Sequence, residues 1–196
     1  MIDAPAQIEI SKYLLKNAGF FPNNKHLPVL FYQNAFLLSK EDPATTVEKA
    51  FAKNKWKNRW RDSIYHFHHY HSTAHEALGI YSGRVLLQLG GEDGPVLSVV
   101  AGDVVIIPAG VAHRNVESTE SFRCVGAYPR GQQYDLNYGE KNELELASRN
   151  IQKLNLPETD PVFGGEGGLM NYWHLKRTTS RKNGRHKQTP ADRLVF

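Results

Sequence analysis

The chain has 196 residues, with 24 Lys and Arg, 20 Asp and Glu, nine His and one Cys, a size suited to one domain with a core of its own. A lone cysteine excludes an internal disulfide and a multi-Cys zinc finger, and no run reaches the ~18 uninterrupted apolar residues of a membrane helix. The formal charge of +4 is uneven: from residue 175 onward seven basic residues face one acid, so only this tail could attract polyanions, and the rest is mildly acidic.

At the N-terminus no basic stretch precedes an apolar one, which points away from secretion and towards the cytoplasm. Pro22, Asn23, Asn24 and Pro28 mark turns. Residues 29–38 read as an edge strand. A helix is expected after Pro43, capped by Thr45 or Thr46, with Val47, Ala50 and Phe51 at helical spacing, running to Trp56 or Trp60. Trp56 and Trp60 would then share one helical face. Lys53, Lys55, Lys57, Arg59 and Arg61 would stay solvated, which argues against a nucleic-acid surface.

Short β-rich runs follow at 64–71, 76–81, 84–89, 96–100, 103–107 and 122–128, separated by Gly-containing turns. Their spacing predicts an all-β sandwich or barrel with antiparallel pairing. Residues 141–154 read as an amphipathic helix, the FGGEGG run at 163–168 as a flexible loop, and the polar tail as disordered.

Five histidines fall within ten residues: His66, His68, His69, His71 and His75. On a strand, side chains alternate, so His69 and His71 share a face with Tyr65 and Phe67, while His66 and His68 face the other way with Tyr70. Two imidazoles at i, i+2 can converge on one ion. Glu76 opens the next strand close by, and His113 follows a Pro-Ala-Gly corner. Imidazole and carboxylate together suit zinc, iron, manganese, nickel or copper.

The segment HYHSTAHEALGIYSG (69–83) resembles the first motif of the cupin superfamily through His69, His71, Glu76 and Gly83. GDVVIIPAGVAH (102–113) resembles the second motif through Gly102, Pro108, Gly110 and His113. The family places an Asn four residues after that histidine. Here Glu117 stands there and Asn115 lies two residues on, so the closing strand is expected to differ. The wider chain is similar to uncharacterised single-domain bacterial cupins of the YjlB type. The resemblance implies a double-stranded β-helix (jelly-roll) barrel with flanking N- and C-terminal helices. It further implies one divalent transition metal in the mouth, held by His69, His71, Glu76 and His113. An N-terminal extension would cover 1–61, the barrel core 62–129, a C-terminal helix and loop 130–175, and the basic tail 176–196.

Strand parity makes Tyr65, Phe67, Leu78 and Ile80 pocket-wall candidates, and Tyr128 follows on the last strand. The resemblance implies metal-dependent chemistry on a small organic molecule, such as dioxygenation, decarboxylation or isomerisation, with Glu76 able to serve as acid/base. The alternative is a non-catalytic ligand-binding or sensor cup. It also implies a homodimer, for which His66, His68 and residues 27–38 are the expected contacts. Cys124 reads as a small buried residue.

Overall fold

Apolar alternation over short runs, punctuated by glycine, drives the middle of the chain into strands. The computed structural model describes residues 8–174, so the expectation for the basic tail lies outside the described residues. In chain order the elements are β1 (Glu9–Tyr13), β2 (Val29–Gln33), α1 (Pro43–Lys53), β3 (Trp56–Asp62), β4 (Glu76–Ser82) and β5 (Arg84–Leu89). Then come β6 (Val96–Val100), β7 (Val104–Ile107), β8 (His113–Ser118), β9 (Arg123–Pro129), α2 (Leu144–Lys153) and α3 (Gly168–Trp173).

The strands form two antiparallel sheets, one ordered β1-β2-β7-β4-β9-β3 and the other β6-β5-β8. From β4 onward the chain passes back and forth between them, which is the jelly-roll path. Gly83 makes the first crossing: it has φ +68°, and a Cβ there would lie 2.7 Å from the Phe122 amide nitrogen.

The six-stranded sheet is buried on both faces. Its inner face presents Leu78, Ile80, Val105, Ile107 and Cys124 to Val85, Leu87, Leu97 and Val99 of the smaller sheet. Its outer face presents Ala77, Val104, Ile106, Val125 and Ala127 to Val47 and Phe51 of α1 and to Leu169 and Trp173 of α3. Each large apolar side chain so buried contributes roughly 1.5–3 kcal/mol. Gly79 lets α1 sit close, because a Cβ there would fall 2.4 Å from Val47 Cγ1.

Several sequence expectations need correction. Residues 29–38 do not form an edge: β2 ends at Gln33 and is flanked by β1, which the sequence did not signal, and by β7. The α1 cap is Asp42, whose carboxylate accepts from the Thr45 amide, because Pro43 occupies the first helical position. The helix stops at Lys53, and Trp56 and Trp60 lie on β3 instead.

The register of β3 against β9 shifts between Lys57 and Trp60, where Asn58 has φ +54°. This bulge puts the two tryptophans on opposite faces, Trp56 in the outer core and Trp60 against the inner one. Residues 64–71 are not a regular strand; they pair only through isolated bridges, His69 with His113 and Tyr70 with Asn137. The FGGEGG run folds into turns held by Asp160, which accepts from the Val162 and Phe163 amides. His68, expected to face outward, is 8% exposed and packs on Phe21. Among the described residues no helix is long and apolar enough to cross a membrane.

Candidate metal centre

Local chain geometry brings the histidines together. The backbones of His69 and His113 pair in both directions, His69 N to His113 O at 3.2 Å and His113 N to His69 O at 2.9 Å. This pairing carries the 69–71 segment alongside the start of β8. Side-chain alternation then points His69 and His71 to one side and His68 and Tyr70 to the other, where both meet Phe21. The Pro108–Gly110 corner delivers His113, with Gly110 at φ +92° and its amide donating to the His71 carbonyl. Glu76 is the first residue of β4.

One ring nitrogen from each of His69, His71 and His113 lies within 4.8 Å of the other two. The Nδ1 atoms face backbone carbonyls of Phe67, Asp135 and Val111 respectively. A carbonyl only accepts, so each Nδ1 carries the proton and each Nε2 keeps its lone pair. His71 Nε2 and His113 Nε2 stand 3.6 and 3.3 Å from Glu76 Oε2. That oxygen is buried and, among the described residues, has no hydrogen-bond partner. Lone pairs converging on one point with no proton between them are the arrangement a cation relieves.

Electrostatics agree with that reading. Burial, with His113 beside it, pushes the His69 imidazole down to about 2, and burial lowers His71 as well, so both rings are held neutral. Burial opposes charge on Glu76, and the hydrogen bond from the Tyr128 hydroxyl favours it. Tyr128 donates to Glu76 Oε1 at 2.8 Å and accepts from Trp60 Nε1 at 2.8 Å. Burial and Glu76 push its phenol above the usual range, so it remains a donor.

The site opens into a cavity of about 320 Å³. Of the wall candidates, Tyr65, Leu78 and Tyr128 line it. Phe67 instead stacks behind Tyr65, with ring centroids 4.8 Å apart, and Ile80 sits in the inner core. Sequence reasoning missed Trp60, Ile64 and Tyr134, which also line the cavity. The only signal for Trp60 was a small residue opposite it, Gly126. His75 points away, accepting from the Ala109 amide and packing on Trp173, while His66 meets the Asn115 carbonyl. The departure around Asn115 is a bulge in β8: Leu87 pairs with Asn115 and Leu86 with Glu117, leaving Val116 extra.

A jelly roll carrying His-x-His, Glu and Pro-x-Gly, His at its mouth defines a cupin. No family model matches the chain. It is 36% identical to "Uncharacterized protein YjlB" of Bacillus subtilis (strain 168) over 165 residues, 84% of this chain and 97% of that protein. The chain therefore belongs to the YjlB family of cupins.

Among solved structures it is similar to acireductone dioxygenase from Bacillus anthracis with cadmium ion in its active centre, at 16% identity and TM-score 0.36, covering 51% of this chain and 77% of that one. It is also similar to the epimerase RmlC from Legionella pneumophila, at 13% identity and TM-score 0.33, covering 65% of this chain and 74% of that one. A DUF861 family protein from Thermotoga maritima gives 26% identity and TM-score 0.31, covering 45% of this chain and 92% of that one. Likeness at this level assigns no activity to this chain.

Proposed function

We propose that the chain binds one divalent transition-metal ion through His69, His71, His113 and Glu76 and uses it on a small organic molecule. The observation carrying this reading is the set of Nδ1-anchored imidazoles around a partnerless buried carboxylate oxygen. A bound ion would supply Lewis-acid polarisation of a substrate oxygen or, if redox-active, one-electron chemistry. The chain's own residues do the rest. Ile64 and Leu78 give the cavity its apolar surface. Tyr128 saturates Glu76 Oε1, so Oε2 is the atom available to the ion or to a proton in dioxygenation, decarboxylation or isomerisation. Neutral imidazoles and one carboxylate leave a divalent site with a net charge of +1, suited to an anionic oxygen ligand.

Elemental analysis of purified protein tests this. We expect about one ion per chain in the parent, and near-zero metal in His69→Ala and His113→Ala variants that keep the parent's circular dichroism. Equal, near-zero metal in all three after incubation with Zn2+, Mn2+, Fe2+ and Ni2+ would overturn the reading.

A further inference from the structure

The cavity wall carries information about what it would accept. Its one described cation is already committed to the protein. Arg61, the one Lys or Arg among its lining residues, grips Glu48 with two parallel bonds, Nε to Oε1 at 2.8 Å and Nη2 to Oε2 at 2.7 Å. Its Nη2 also reaches Thr45 Oγ1 at 3.2 Å. The Trp60 indole gives its only hydrogen to Tyr128, and Tyr128 gives its own to Glu76. Among the described lining residues no further guanidinium or ammonium faces a phosphate or a second carboxylate.

The mouth, by contrast, is aromatic. Tyr65 meets His69 edge-on with ring centroids 5.0 Å apart and remains 52% exposed. Tyr134 meets His71 at 4.8 Å, stacks on Tyr128 at 4.6 Å and remains 43% exposed. Each ring already has one partner that fixes its plane, so both offer pre-ordered π surface beside the imidazoles, at little further cost in side-chain freedom.

We infer that the substrate is a flat, unsaturated molecule with oxygen donors at one end and an otherwise apolar body, of the aromatic or enolic class. The oxygens meet the ion and the planar body lies along Tyr65 and Tyr134. Among the described lining residues, nucleotides and polycarboxylates find no uncommitted cation. The inference rests on the proposed metal site and deepens it.

The test uses full-length protein loaded with Co2+, freed of unbound cobalt by gel filtration, with 4-nitrocatechol as probe and citrate and glucose 6-phosphate as competitors. We expect a shifted nitrocatechol absorption band that co-elutes with the protein and is displaced by neither competitor at equal concentration. Tyr65→Leu and Tyr134→Leu should each weaken the probe about five- to tenfold, the size of a lost aromatic contact, and leave cobalt uptake unchanged. If Co2+ is not taken up, the proposed function fails and this inference with it. Cobalt uptake with no probe binding, with tighter citrate or glucose 6-phosphate binding, or with probe binding indifferent to both tyrosines would overturn the inference alone.

Discussion

Tyr128 joins two groups that could not otherwise cooperate. An indole N–H only donates, so the Trp60 bond obliges the Tyr128 oxygen to accept and its hydrogen to turn to Glu76. Glu76 thus meets the centre through one oxygen. Removing the hydroxyl with Tyr128→Phe should lower Zn2+ affinity about 10- to 100-fold, the usual effect of losing a partner that orients a ligand. Competition against a chelator measures it, with circular dichroism as the check on folding. That His69, His71, His113 and Glu76 come together was legible in the sequence, because few residue types bind such ions and their spacing matched the two cupin motifs. Trp60 was not, because its orientation depends on one extra residue in β3. Tyr134 was not, because it sits in a loop where no periodicity operates.

The bulge in β3 links helix, sheet and cavity. Trp60 lies across from Gly126, and a Cβ on that glycine would come within 2.1 Å of the indole. Gly126→Ala should therefore destabilise by about 1–3 kcal/mol through overpacking. Urea unfolding would show it, and adding Trp60→Leu in the same chain should recover part of the loss.

The α1–β3 contact carries a pH dependence. Hydrogen bonding from Arg61 holds the Glu48 carboxyl below its ordinary 4.5. A folded-state value below the unfolded one stabilises fully above the unfolded value and fades as pH falls through the folded one. The pair is partly exposed, so the effect is small. Compared with Glu48→Gln, the parent's advantage in melting temperature should shrink between about pH 5 and pH 3. The helix itself was legible from spacing. Its end was not, because Lys55, at φ +66°, turns the chain into a strand that helical spacing of the tryptophans disguised.

Across the whole molecule, the segment after α2 is locked to the outer face of the large sheet by Asp160. This fully buried carboxylate accepts from the Tyr32 hydroxyl at 2.6 Å and from the Leu169, Val162 and Phe163 amides. Asp160→Ala would strand those donors, and we expect a loss of more than about 2 kcal/mol in chemical denaturation. Metal content per folded chain should not change, because the carboxylate lies on the face opposite the cavity. That the middle of the chain is all-β, a sandwich or barrel, was legible from turn spacing, and the jelly-roll form from the cupin motifs. β1 and α3 were not: the first has one isoleucine among polar residues and the second begins at a glycine, so both form because the sheet offers them a surface.

The four residues proposed as ligands do not come from one sheet. Glu76 belongs to the six-stranded sheet and His113 to the three-stranded one, with His69 and His71 on the segment between β3 and β4. An ion held by all four would rivet the two halves of the sandwich at their open end. Occupancy would then be linked to unfolding, adding about 2.7 kcal/mol when free metal stands at a hundred times its dissociation constant. Thermal denaturation with and without a chelator would therefore report loading directly.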